Sequence, residues 1–202
     1  MKTIGVIGLG VMATRMITNT RAYGGFQIGA AWDPDPEACE RISILAPEIR
    51  IVEDADALID DGEIDGIYIA SPPSSHAGYA SAAVARGKPV LCEKPLGIDL
   101  AITREMTETT DKSGVRNAVN FTFATAPAVT KLENALADGT VGNVDSVDIR
   151  LHFCKWPREW QAPVALRGCE FLACIFIFRA LFFLVARVYR KQTAPQVHRA
   201  QR

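Results

Sequence analysis

The run Lys2-Thr3-Ile4-Gly5-Val6-Ile7 leads straight into Gly8-Leu9-Gly10-Val11-Met12-Ala13, and no other feature of the chain narrows its fold so far. The first run reads as a buried strand. Two glycines at alternate positions let the backbone turn tightly, and Met12 to Ala22 then reads as a helix. A second apolar strand, Phe26 to Trp32, ends on Asp33, which stands 23 residues after Gly10. A glycine turn between strand and helix, with an acid about 20 residues on, is the pattern of a βαβ unit that binds a dinucleotide. Gly8 supplies the turn, Gly10 lets a pyrophosphate approach the backbone, and Ala13 is small enough for the helix to pack on the strand. The N–H groups leading into that helix, at Leu9, Val11 and Met12, are candidates to bind phosphate, because a helix start leaves its first donors unpaired. The plainer alternative is a glycine turn with no ligand.

Asp33 bears on the choice of nucleotide. A carboxylate there accepts the ribose hydroxyls of NAD and repels the extra phosphate of NADP, and no base follows it until Arg41. NAD is therefore favoured over NADP. Asp33 could instead cap the next helix, but Asp35, directly before Pro36, fits that role better and leaves Asp33 free for the ribose.

Strand and helix alternate as far as about residue 120. After the helix Pro36 to Leu45, Ile49 to Val52 reads as a third strand and Ile64 to Ala70 as a fourth. Ser74 to Arg86 reads as a helix and Pro89 to Cys92 as a fifth strand. Asp99 to Lys112 reads as a helix capped by Asp99, and Val115 to Asn120 as a sixth strand. This rhythm predicts an α/β fold whose N-terminal part is a Rossmann-type, doubly wound parallel sheet. Near Asn120 the rhythm changes. A helix from Pro127 to Asp138 leads through Gly139 to a longer strand, Val144 to Phe153, which reads as the start of an incomplete α+β substrate domain. The expected divisions are 1–120 for the nucleotide, 121–165 for the partial second domain, and 166–202 for an atypical apolar, then basic, tail.

The fourth strand leaves through Ser71-Pro72-Pro73-Ser74-Ser75-His76, and the fifth through Cys92-Glu93-Lys94-Pro95-Leu96-Gly97. Ligands of open α/β sheets lie beyond the carboxyl ends of the strands, so both exits face the expected crevice. A lysine there can hydrogen-bond a substrate hydroxyl and take part in moving its proton during hydride transfer. The plainer readings are a surface lysine for Lys94 and a helix-start residue without a ligand for His76.

Gly-Leu-Gly-Val-Met-Ala, Ser-Pro-Pro-Ser-Ser-His and Glu-Lys-Pro, in this order and spacing, resemble the glucose–fructose oxidoreductase/inositol dehydrogenase/MocA (Gfo/Idh/MocA) family over about residues 2–165. Asn120-Phe121 and Gly139-Thr-Val-Gly142 resemble the opening of that family's second domain. The resemblance implies an NAD(P)-dependent oxidoreductase acting on a sugar, cyclitol or related polyol. It implies that Lys94 is the catalytic residue and contacts substrate, that the bond before Pro95 is cis, and that Glu93 belongs to the cofactor-binding signature. Ser71, Pro72 and His76 would line the nicotinamide end, and Asn120 would lie near the sugar. It also implies an Asp-x-x-x-His acid–base pair some way after the second sheet's first strand. No aspartate follows Asp148, and neither His152, within that strand, nor His198, in the polar tail, reads as part of such a pair. An alternative expectation is thus a catalytically inactive NAD-binding remnant.

Charge and cysteines exclude other classes. The net charge of −1 hides seven basic residues against the single acid Glu170 from Leu166 onward, so the preceding body is acidic, which argues against nucleic acid as a partner. Five cysteines in odd number, with no C-x-x-C pair and no zinc spacing, predict no metal site and a reducing, cytoplasmic compartment. The apolar N-terminus mimics a signal peptide, but its glycines break it as a helix. Beyond Val164–Gly168 the composition shifts to clustered Phe and Arg, as a frame change or a misjoined gene end would produce. A membrane anchor is the rival reading: Phe171 to Val185 is apolar but short of the roughly 20 residues a span needs, and Arg179 interrupts it. Exposed apolar surface on an incomplete second domain also predicts self-association into a homo-oligomer or aggregate.

Overall fold

In the computed structural model residues 1–144 are described; the expected strand Val144 to Phe153 and the tail 166–202 lie outside the described residues beyond Val144. The chain divides after Asn120 into two compact units, the first being Met1–Asn120.

In the first unit, strands β1 (Lys2–Ile7), β2 (Phe26–Trp32), β3 (Arg50–Ile51), β4 (Gly66–Ile69), β5 (Val90–Glu93) and β6 (Asn117–Asn120) alternate with helices α1 (Val11–Tyr23), α2 (Pro36–Leu45), α3 (Ala55–Asp60), α4 (His76–Ala85) and α5 (Leu100–Ser113). All neighbouring strands pair in parallel, in the order β3-β2-β1-β4-β5-β6. This is the order of a doubly wound dinucleotide-binding sheet, and its switch point falls between β1 and β4.

Side-chain alternation along the strands builds two cores. Val6, Ala31 and Tyr68 pack with Leu9, Ala13 and Ile17 of the α1 region and with Ala38 and Ile42 of α2 on one face. Ile7, Ile67, Ile69, Val90 and Cys92 pack with Leu58 and Ile59 of α3, Ala80 and Ala83 of α4, and Met106 of α5 on the other. Burial on both faces is why these strands read as continuous apolar runs.

The helix boundaries have local causes. Asp35 accepts the Glu37 N–H at 3.0 Å and Pro36 opens α2, as expected from the sequence. Asp99 caps α5 through the Ile102 N–H at 2.9 Å. Helix α3 is one element that the sequence pattern does not reveal: with 6 residues it is too short to show a period, and its marker is Asp54, which accepts the Ala57 N–H at 2.7 Å. The third strand shrinks to two residues against the expected Ile49 to Val52. Among the described residues no helix is long and apolar enough to cross a membrane.

The second unit opens with a short 3-10 helix, Thr122–Thr125, followed by α6 (Pro127–Ala137), which begins on a proline at its first position.

Candidate functional site

At the end of β1, Gly8 has φ +90° and its N–H donates to the Trp32 carbonyl at 2.9 Å. A Cβ on Gly8 would lie 2.3 Å from the Ser71 backbone nitrogen and 2.6 Å from the Ala70 carbonyl carbon. Only glycine fits there: the left-handed backbone and the contact with the β4 exit both exclude a side chain. The same added atom on Gly10 meets nothing within 4 Å. Gly10 is the N-cap of α1 and offers no side-chain cap, so no side chain takes up the first donors of this 13-residue helix, whose start at Gly10 and Val11 is exposed. A nucleotide pyrophosphate fits this arrangement.

The residues of the turn separate by depth. Leu9 is buried in the core, Met12 is half-buried, and Gly10 and Val11 are exposed. The Leu9 N–H does not point outward: it donates to Asp33 Oδ2 at 2.6 Å. Asp33 Oδ1 accepts the Asp35 N–H at 2.8 Å. The cap of α2 falls to Asp35, as expected, and Asp33 is instead held by these two backbone donors. Each oxygen already holds one backbone donor and has one remaining acceptor position for a ribose hydroxyl.

Ser71 and Pro72 follow the adjacent strand β4. Ser71 Oγ lies 2.8 Å from Ser75 Oγ, and Ser75 Oγ donates to the Pro72 carbonyl at 2.8 Å, which ties the turn to the start of α4. His76 is 1% exposed. Its Nδ1 lies 2.9 Å from the Pro95 carbonyl and its Nε2 2.8 Å from the Ser71 carbonyl. Both neighbours are carbonyl oxygens, which only accept, so a neutral ring donates to one of them and merely faces the other.

At the end of β5 the Lys94–Pro95 bond is cis, as the resemblance implies. Lys94 is exposed, whereas Glu93 is 4% exposed. Glu93 Oε1 accepts from the Tyr68 hydroxyl at 2.7 Å and from Asn120 Nδ2 at 2.6 Å, and Oε2 faces the Lys94 N–H at 3.3 Å. Burial, reinforced by the bond to Glu93, pushes the Tyr68 phenol up, so its hydroxyl stays a donor. The sequence suggests Glu93 for the cofactor and Asn120 for the sugar; the structure engages these two side chains with each other. Tyr68 is the member of this group that sequence reasoning misses, because a tyrosine in an apolar strand reads as core. Burial pushes the Cys92 thiol up to about 12, so it stays protonated and packs as a small apolar group.

Glycine turn, Asp33, Ser71–Pro72 and Glu93–Lys94–Pro95 all belong to the first unit, at or just beyond the carboxyl ends of β1, β2, β4 and β5. Among the described residues no group of three or more His, Cys, Asp or Glu is arranged to hold a metal ion. Asp148 and His152 do stand at Asp-x-x-x-His spacing, inside the run that reads as a strand rather than beyond it, and both lie outside the described residues.

Residues 2–121 match the oxidoreductase family with an NAD-binding Rossmann fold known as Gfo/Idh/MocA. An inositol 2-dehydrogenase of Paracoccus denitrificans is 38% identical over 144 residues, covering 68% of this chain and 42% of its own length. A glucose-6-phosphate 3-dehydrogenase of Bacillus subtilis is 30% identical over 155 residues, 77% of this chain and 43% of its own. The crystal structure of an NAD binding oxidoreductase from Klebsiella pneumoniae superposes with a TM-score of 0.64 at 30% identity, over 70% of this chain and 40% of its own. The chain spans about two fifths of the length of these proteins.

Proposed function

Since the chain belongs to the Gfo/Idh/MocA oxidoreductase family and carries its NAD-binding Rossmann fold, we propose that it is the nucleotide-binding part of a dehydrogenase that moves hydride between NAD and a sugar, cyclitol or related polyol. The observation that carries this reading is one edge of one sheet. The phosphate-ready start of α1 and the exposed Lys94 follow β1 and β5, the strands on either side of β4.

The chain's own groups then have separate tasks. The N–H groups of Gly10, Val11 and Met12 bind the pyrophosphate, with no side chain at Gly10 to hold it off. Leu9 contributes by donating its N–H to Asp33, which keeps that carboxyl turned toward the glycine turn. Asp33 takes the adenosine ribose hydroxyls on its remaining acceptor positions and disfavours the added phosphate of NADP. Ser71 and Pro72 line the nicotinamide side. Bound NAD supplies a ring that accepts or returns a hydride. Lys94 hydrogen-bonds the substrate hydroxyl and helps carry its proton as the carbinol carbon changes oxidation state. Relatives named for inositol and for glucose 6-phosphate support a polyol or sugar as the substrate class.

The test is a fluorescence titration of the purified chain with NADH and NADPH, followed by NAD reduction over a panel that includes myo-inositol and glucose 6-phosphate. The reading expects NADH to bind more tightly than NADPH, and Lys94→Ala to abolish turnover while NADH still binds. A folded chain that binds neither nucleotide would overturn it. Binding without turnover on any member of the panel would leave an NAD-binding module and remove the catalytic assignment.

A further inference from the structure

Lys94 is exposed, but the residue on each side of it is fastened to the interior. Before it, the buried Glu93 carboxyl collects the Tyr68 hydroxyl at 2.7 Å and the Asn120 amide at 2.6 Å. These three side chains come from β4, β5 and β6, so one carboxyl stitches three neighbouring strands together at their carboxyl ends. After it, the Pro95 carbonyl lies 2.9 Å from His76 Nδ1, and the same ring reaches the Ser71 carbonyl at 2.8 Å with Nε2. His76 is 1% exposed, at the first position of α4. The ring therefore spans from the exit of β4 to the exit of β5.

We propose that Tyr68, Glu93, Asn120 and His76 are positioning residues, which hold the peptide on either side of Lys94 so that its amine is aimed at the nicotinamide side of the crevice. This rests on the reading of Lys94 given above. The physical case is the cost of the alternative. A buried carboxyl and a buried imidazole occupy space that apolar side chains would fill at less desolvation cost; the contacts of the carboxyl go to Tyr68, Asn120 and the Lys94 N–H, and those of the ring to the carbonyls of Pro95 and Ser71. A long lysine side chain has many rotamers, and fixing the backbone on both sides removes the motion that would multiply them. Both nitrogens of His76 face backbone carbonyls and the ring is buried, so it acts on the peptide groups beside it, donating to one of them, and not on a ligand. Its contacts with the Ser71 and Pro95 carbonyls, one of them a hydrogen bond, couple the aim of Lys94 to the Ser71–Pro72 turn.

The experiment reads the position of Lys94 without relying on turnover. The full chain is reductively methylated with labelled formaldehyde, with and without saturating NADH, and Lys94 is followed by peptide mass spectrometry. Tyr68→Phe and His76→Gln are compared singly and together, with melting temperature and NADH affinity measured on each. In the unmodified chain, NADH should protect Lys94. In the double variant that protection should fall about tenfold, through the loss of the hydrogen bonds that fix the peptide beside Lys94, while NADH affinity stays near that of the parent. Tyr68→Phe keeps the ring in the core and so guards against simple unfolding. Equal protection in parent and variants would overturn the positioning role and leave the Lys94 reading intact. No protection in the parent, with NADH bound, would overturn the Lys94 reading and this inference with it.

Discussion

Asp33 Oδ2 accepts the Leu9 backbone N–H at 2.6 Å, so the acid at the end of β2 and the glycine turn after β1 are parts of one hydrogen-bonded unit. Replacing Asp33 should therefore disturb two things together. Asp33→Ala is expected to weaken NADH binding about tenfold or more, through lost ribose contacts and a released turn. NADPH binding should weaken less, because the repulsion goes as well. Parallel fluorescence titrations with both nucleotides check this, and an unchanged ratio of the two affinities would count against Asp33 as the ribose acceptor.

The two glycines of the turn should fail in different ways. Gly8→Ala forces a Cβ onto the Ser71 and Ala70 backbone at a positive φ, and is expected to cost about 2–5 kcal/mol of stability. Gly10→Ala meets no protein atom within 4 Å. It should change stability by about 1 kcal/mol or less, yet impair NADH binding by filling the space beside the helix start. Urea unfolding and NADH titration on both variants separate the roles; a stable Gly8→Ala would contradict the close approach.

The acid limb of stability has a named contributor. Arg50 hydrogen-bonds Asp61 and, with the Glu63 N–H, holds that carboxyl below the usual carboxylate range. A depressed value in the folded state means that its contribution is present in full above the unfolded value of about 4 and is lost as pH falls through the folded value. The difference in urea midpoint between the parent and Arg50→Gln should accordingly shrink below about pH 4. A difference that stays constant from neutral pH down through that range would show that the pair contributes nothing through ionisation.

Cys92 should be chemically quiet. With its thiol pushed up to about 12 by burial, and further by Glu93, almost no thiolate is present at neutral pH. Iodoacetamide at pH 8 should label the half-buried Cys39 well before Cys92 in the folded chain, and peptide mapping over time reads the order. Faster labelling of Cys92 would mean that the second core opens readily.

Much of the first unit could be read from the chain because its determinants are local. The glycine turn, the Asp35–Pro36 start of α2 and the Asp99 start of α5 each fit within a few residues, and each cap is seen as an actual hydrogen bond. Helix α3 escaped because six residues show no period. The site was legible only in outline. Lys94 and Asp33 stand out by type and position, but the tie between Tyr68 and Glu93 spans 25 residues of chain and that between Glu93 and Asn120 spans 27. No periodicity links positions so far apart; strand order alone brings them together. For the same reason His76 looked available to a ligand until its two carbonyl neighbours were located.

β1 and β4 lie side by side, although α1, β2, α2, β3 and α3 come between them in the chain. A nascent chain that has made only its first two strands holds a helix terminus and an acid, but has no second wall. Cofactor capture is therefore a late event in assembly, delayed until a distant strand docks and closes a large loop. Once caught, the nucleotide draws the equilibrium toward chains in which that docking is complete.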